Sequence, residues 1–271
     1  MVVFAIDRPS PDARLLENFG GNKNGTPLLG DIFAAEGPVF AAEEGELVFK
    51  ANAEERAGRI PSTMGAWVAV DHGNNMLSVY GHLQDESSDL DTKLEKTDLV
   101  GMAGKTGWAK SEGFNLTIFD RKEKRWVNPS LVVSSVEDTR TPSIQYVRLR
   151  NSAGREIDIS QTRTISQGRW SIIVYAEDTQ FSFTDSLMPS KITCSVNGLE
   201  AGALALETFY ARDGNLMMYR NGLIPVSQIY QFFPAVEAGE TWFNRGQATL
   251  EVIVEDIAKN KRVALYKLFV E

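Results

Sequence analysis

The stretch Gly113-Phe114-Asn115-Leu116-Thr117-Ile118-Phe119-Asp120 opens on a glycine and continues with bulky and polar residues in turn. As a strand it places Asn115 and Thr117, two apart, on one face. Upstream, Ala66-Trp67-Val68-Ala69-Val70-Asp71 and Met76-Leu77-Ser78-Val79-Tyr80 flank His72-Gly73-Asn74-Asn75. Gly and Asn tolerate the positive φ that a tight turn requires, so the pair reads as a hairpin. Gly30-Asp31-Ile32-Phe33-Ala34-Ala35 and the run from Gly37 to Val48 are short apolar segments broken at Gly37 and Gly45. They read as strands joined by turns. The acidic segment Asp85 to Asp91 reads as a solvated loop.

Beyond Val136 the character changes. Glu137-Asp138-Thr139-Arg140-Thr141-Pro142 is a charged junction closed by proline, which places a domain boundary between residues 1–136 and 137–271. In the second part Trp170, Ile172, Val174 and Ala176 alternate with Ser171, Ile173 and Tyr175, and Leu250, Val252 and Val254 with Glu251, Ile253 and Glu255. Arg262 to Val270 then pairs back across Ile257-Ala258-Lys259-Asn260. Period-two runs with turn signals between them predict a β-sandwich, and the fold class of the whole chain is all-β.

At 271 residues, 43% hydrophobic and 24% charged, the chain can fill two cores of roughly 100–150 residues each. No run approaches the ~18 apolar residues of a spanning helix. The opening Met1-Val2-Val3-Phe4-Ala5-Ile6-Asp7 is too short and too soon acidic for a signal peptide, so any export signal was removed or never existed. A net charge of −8, with acids in both halves, repels nucleic acid and anionic membranes. The single cysteine, Cys194, excludes an internal disulfide and a thiolate metal cluster. It alternates with Ile192 and Val196, which predicts a buried strand position.

Five ordered motifs resemble those of the M23 (LytM-like) zinc endopeptidases. Gly113 to Phe119 sits where the family has Gly-x-His-Leu-His-Phe, with Asn115 and Thr117 in place of its histidines. Asp31 and Gly37-Pro38-Val39-Phe40-Ala41 resemble the segment carrying the aspartate ligand. The first ligand histidine, four residues before that aspartate, is here Pro27. Tyr80-Gly81-His82-Leu83 resembles the Tyr-x-His-Leu motif, Gly101 to Gly107 the Gly-x-x-Gly-x-Thr-Gly lead-in, and Asn128-Pro129 the Asn-Pro after the last strand. Phe19-Gly20-Gly21 resembles the family's Phe-Gly turn. The resemblance implies an antiparallel β-sheet domain of the duplicated hybrid motif type over residues 1–136. Residues 137–271 look more loosely like the immunoglobulin-like domains that follow degenerate M23 domains, without the Cys…Trp…Cys pattern.

A catalytic zinc site needs about three protein ligands and an open position for water. The chain holds only two histidines, His72 and His82, so the family's constellation cannot be rebuilt. By resemblance Pro27, Asn115 and Thr117 are lost metal-ligand or catalytic positions, and no metal or other cofactor is expected. Asp31 is then a hydrogen-bonding group at the groove floor, His82 a polar residue of its wall, and His72 an exposed turn residue. Asp31, Tyr80, His82, Asn115 and Thr117 outline a vestigial groove. An amide and a hydroxyl are poor zinc ligands, but both can hydrogen-bond each other, Asp31 or a partner. Two outcomes stay open, a structural hydrogen-bond cluster and a groove retained for a ligand.

Other features point less far. Gly101 to Gly107 lacks the spacing and the βαβ setting of a phosphate loop. Glu43-Glu44 and Glu54-Glu55 read as solvated faces. Phe232-Phe233 and Trp242-Phe243 read as core, or as partner contacts. The reading that follows is a catalytically inactive M23-like protein of the periplasm or cell envelope, binding an envelope protein or a peptidoglycan peptide. Two alternatives are a zinc metalloendopeptidase with substituted ligands, and a scaffold whose immunoglobulin-like part makes the contacts.

Overall fold

The computed structural model describes residues 7–53, 62–84, 91–133, 138–179 and 186–271. The acidic segment from Asp85, the pair Glu54-Glu55 and part of the junction at Glu137 lie outside the described residues. The described chain is all strand and turn apart from one turn of α-helix, Val226–Tyr230, and a 3-10 turn, Pro129–Leu131. Among the described residues no helix is long and apolar enough to cross a membrane.

Two compact units are formed, Met1–Phe19 with Leu29–Val136, and Gly20–Leu28 with Glu137–Glu271. The segment Gly20–Leu28, placed with residues 1–136 from the sequence, therefore belongs to the second unit. Polar satisfaction explains why. The hydroxyl of the fully buried Tyr230 donates to the carbonyl of Gly20 at 2.8 Å, and Asn22 Nδ2 donates to the carbonyls of Tyr230 and Ala235. A buried phenol without such an acceptor would cost about 1–3 kcal/mol.

In the first unit the strand Gly113–Asp120 is the hub. One edge pairs antiparallel with Met76–Leu83 over residues 115–120. The other edge is shared, Asp31–Ala34 pairing with residues 113–116 and Arg125–Val127 with residues 118–120. From Met76–Leu83 the sheet continues through Ala66–Asp71 and Gly45–Ala51 to Lys93–Leu94. Leu116, Ile118, Tyr80, Val68, Val70, Phe33 and Phe114 fill the core beneath it. Phe33 and Phe114, paired across the strands, stack with ring centroids 5.0 Å apart.

A bulge interrupts this sheet where Gly81 and His82 together face the single residue Trp67. His82 takes a left-handed φ of 65°, a conformation that a bulge imposes and that turns its side chain out of the alternation. The Gly101 to Gly107 motif braces the bulge. Thr106 Oγ1 donates to the carbonyl of Leu83 at 2.7 Å and accepts the N–H of Ala66 at 2.9 Å. A Cβ on Gly107 would stand 2.3 Å from the nitrogen of Gly65, so the two backbones meet without room for a side chain. The glycines serve close backbone approach.

The second unit holds two sheets. One runs Glu156–Asp158, Ser143–Asn151, Gly168–Glu177, Val236–Phe243 and the other Thr164–Ile165, Lys261–Val270, Gly246–Glu255, Lys191–Val196, Leu199–Ala205. The hairpin of Gly246–Glu255 with Lys261–Val270 is the one read from the sequence. Trp170, Ile172, Val174 and Ala176 are buried, as are Leu250, Val252 and Val254. The two sheets approach closely at Gly202, whose added Cβ would stand 2.4 Å from the carbonyl oxygen of Ala238.

Among the described glycines of the first unit, Gly113, on the shared edge of the hub strand, has the least room for a side chain. A Cβ on Gly113 would lie 1.8 Å from the carbonyl oxygen of Phe33. Gly113→Ala is therefore expected to cost about 3 kcal/mol through overpacking, read as a lower urea midpoint. An unchanged midpoint would contradict this pairing.

Candidate functional site

The pairing of the hub strand decides where each candidate residue faces. Asp31 lies opposite Leu116, and Ile32 opposite Asn115. Residues directly opposite share a face and neighbours alternate. Asp31 thus shares the core face with Leu116, Phe33 and Tyr80, whereas Asn115 and Thr117 project from the other, partly open face. The expectation of one groove lined by Asp31, Tyr80, Asn115 and Thr117 is corrected on this point. The pairing of distant strands fixes that parity, and a one-residue difference reverses it.

Asp31 is 1% exposed. Its Oδ1 accepts the N–H of Phe19 at 2.8 Å and its Oδ2 the hydroxyl of Ser130 at 2.9 Å. Asn128 aims Ser130. It is buried, and its Oδ1 accepts the Ser130 N–H at 3.0 Å, capping the turn Pro129–Leu131. Both carboxylate oxygens are committed to the protein. Burial pushes the carboxyl up to about 6, opposed by the hydrogen bonds from Phe19 and Ser130 that favour the charged form.

On the open face Thr117 Oγ1 donates to Asn115 Oδ1 at 3.0 Å, and Asn115 Nδ2 donates to the backbone carbonyl of Asp31 at 3.2 Å. A Cβ on Gly30 would stand 2.5 Å from Thr117 Oγ1, so glycine admits this hydroxyl. Asn115 lies opposite Gly81, over which the methyl group of Met64 sits. Beyond the bulge His82 Nδ1 lies 3.0 Å from the carbonyl of Thr106. A carbonyl only accepts, so Nδ1 carries the proton, leaving Nε2 as an acceptor when the ring is neutral. Trp108, two residues past Thr106, is 77% exposed and held by its N–H on Thr63. Asn115 and Thr117 offer neutral donors and acceptors, and among the described residues no group of three His, Cys, Asp or Glu ligands stands on this sheet.

Other expectations are placed differently. Tyr80 is fully buried, and its hydroxyl accepts the Ala42 N–H at 2.9 Å. His72 is half-buried rather than a free turn residue, with Nδ1 2.8 Å from the Glu44 carbonyl and Nε2 2.7 Å from Ser78 Oγ. Ser78 has no exposed surface, so this pair is a structural tie between turn and sheet. Pro27 is in the hairpin Asn22–Lys23 with Thr26–Pro27 of the second unit. Cys194 is fully buried, its thiol pushed up to about 12 by burial. Phe243 is core, but Trp242, its neighbour on the strand Val236–Phe243, is 56% exposed, because alternation turns every second residue outward, and Phe233, in the turn after the helix Val226–Tyr230, is 55% exposed.

Sequence reading missed Ser130 and Thr106, which the motif patterns Asn-Pro-Ser and Gly-Lys-Thr-Gly do contain. It also missed Asp138, Asp178 and Asp256. Among the described residues these form the one group of three or more His, Cys, Asp or Glu side chains close enough to hold a metal, and it lies in the second unit. It contains no histidine.

Comparison with known proteins agrees with the motif reading. Residues 30–129 match the profile of Peptidase family M23, and a second family profile matches residues 141–271. A search of curated proteins finds no match. A mutant of the catalytic domain of the prophage-encoded M23 protein EnpA from Enterococcus faecalis is 19% identical over 43% of this chain and 87% of that one, with a TM-score of 0.36. A putative peptidase M23 from Pseudomonas aeruginosa is 22% identical over 42% of this chain and 44% of its own length, with a TM-score of 0.34. For the SpoIIQ-SpoIIIAH pore forming complex the values are 17%, 49%, 92% and 0.40. An M23 peptidase domain, distantly related, is present in the chain.

Burial of Asp31 has a measurable pH signature. Its folded-state value, about 6, lies above the ordinary aspartate range, so folding favours the protonated form. That contribution to stability is complete below about pH 4 and is lost as the pH rises through about 6, a difference of roughly 3 kcal/mol. Asp31→Asn keeps an oxygen for Phe19 and a polar group for Ser130. Its stability, measured by urea denaturation, is expected to fall less between pH 4 and 7 than that of the parent. Parallel pH profiles would show that the carboxyl is not held in this way.

Proposed function

We propose that this chain is a catalytically inactive M23-like protein of the cell envelope that binds a peptidoglycan peptide on the face carrying Asn115 and Thr117. The single observation behind the first part is the state of Asp31. The surviving aspartate is buried, with both carboxylate oxygens bonded to Phe19 and Ser130, while Asn115 and Thr117 occupy the family's histidine positions on the other face. No histidine stands beside it to hold a metal or move a proton. Activity through substituted ligands has no donor set on this sheet among the described residues.

The second part rests on the chemistry of the open face. Neutral amide and hydroxyl groups on a strand suit the backbone of an extended peptide. The location follows from the family resemblance, and an immunoglobulin-like β-sandwich is the reading offered for the two sheets of the second unit.

One feature favours a scaffold reading in parallel. Val263, Leu265 and Phe269, on one face of the strand Lys261–Val270, are 52%, 64% and 51% exposed, with the exposed Lys267 between the last two. This largely apolar row on the second unit suits a contact made there.

Protein purified without chelator is expected to carry no stoichiometric zinc and to leave peptidoglycan peptides uncut. Isolated sacculi should retain the wild-type chain, and Asn115→Arg should weaken retention by about tenfold or more with an unchanged melting midpoint. Cleavage that stops on zinc removal would overturn the inactive reading. Retention unaffected by Asn115→Arg but lost in Leu265→Lys would transfer the contact to the second unit.

A further inference from the structure

We infer that Asp138, Asp178 and Asp256 form a binding site for a hard divalent cation of the calcium class, built into one end of the second unit. Asp178 and Asp256 each follow directly on a strand, Gly168–Glu177 and Gly246–Glu255, and Asp138 precedes the strand Ser143–Asn151. One carboxylate oxygen from each lies within 4.8 Å of the others. Oxygens on opposite sides of a calcium ion bound at about 2.3–2.6 Å stand about that far apart.

Proximity of acids alone would not call for an ion. The donors do. Asp138 Oδ2 is buried with no hydrogen-bond partner, while its other oxygen accepts the Arg140 N–H at 2.9 Å. Asp178 is 4% exposed. Its Oδ1 takes the neighbouring Thr179 N–H at 2.9 Å, and among the described residues no donor reaches its Oδ2. Asp256, with no exposed surface, is the anchored member, both oxygens accepting from Asn260 at 2.8 Å. Asn260 Nδ2 also donates to the carbonyl of Asp138 at 3.0 Å, which holds the two segments together.

Among the described residues no lysine or arginine pairs with any of the three, although other acids of this unit find such partners. Glu255, next to Asp256, is bonded to Lys259 and Lys261, and Glu237 to Arg220. Three carboxylates crowded together, with Asp138 Oδ2 buried and unpartnered, form a locally negative pocket that a cation completes, since an uncompensated buried charge is among the costliest features in a protein. An all-carboxylate donor set without His or Cys selects hard ions, and flexible spacing favours calcium over the stricter magnesium. The three aspartates belong to the second unit, and the site does not depend on the peptide-binding reading.

The test uses the full chain stripped of metal by chelator and titrated with calcium chloride, with magnesium chloride in parallel. Calorimetry should show one calcium bound per chain, and calcium at a hundredfold excess over its Kd should raise the melting midpoint by about 5 °C or more. Asp178→Asn and Asp138→Asn should each weaken binding by about tenfold or more. Asp138→Asn leaves the Arg140 hydrogen bond an acceptor and guards against a misfolded Asp178→Asn protein. Asp31→Asn should bind calcium as the wild type does. No heat and no calcium-dependent shift in the wild type would overturn the site, as would unchanged calcium affinity in both triad variants. A midpoint raised by Asp178→Asn in a calcium-insensitive wild type would identify the triad as a protonated structural cluster and likewise overturn it.

Discussion

A carboxylate removed from water must be met by donors, and in the first unit the way Asp31 is met arranges much of what surrounds it. The Phe19 N–H ties the end of the first segment to the strand Asp31–Ala34, and the Ser130 hydroxyl ties that strand to the turn after Arg125–Val127. Both strands share one edge of Gly113–Asp120. A single side chain thus joins three segments that the sequence keeps far apart. In a zinc peptidase such a group would be held for the metal, whereas here it secures the fold.

The same economy explains the glycine and threonine motif that survives beside it. Thr106 satisfies both Leu83 and Ala66 at the bulge, and its backbone carbonyl holds the ring of His82. The motif keeps its shape because the sheet needs it, whether or not a reaction takes place above. Family motifs are therefore weak evidence for chemistry, and the residues standing at the ligand positions carry more weight.

Much of this could be read in the sequence. Alternation in Gly113–Asp120, Gly168–Glu177 and Gly246–Glu255 gave strands where they are found, and the histidine count alone removed the peptidase constellation. Facing was less legible. Whether Asp31 and Asn115 share a side depends on pairing across more than eighty residues, and no local pattern encodes that register. The same limit hid the hairpin of Gly20–Leu28, drawn to the second unit by Tyr230. It also hid the aspartate triad, whose members are set together by strand ends that meet only in the folded chain.

Strand parity also bears on any attempt to restore an enzyme from this scaffold. Imidazoles returned to positions 115 and 117 would project from the side of the sheet opposite the Asp31 carboxylate, with a wall of backbone between donor and donor. Recovering a coordination sphere would require one strand to slip by a single position, exchanging every inward residue for an outward one. A metal seat on this sheet is thus a matter of strand register, which side-chain grafting alone does not change.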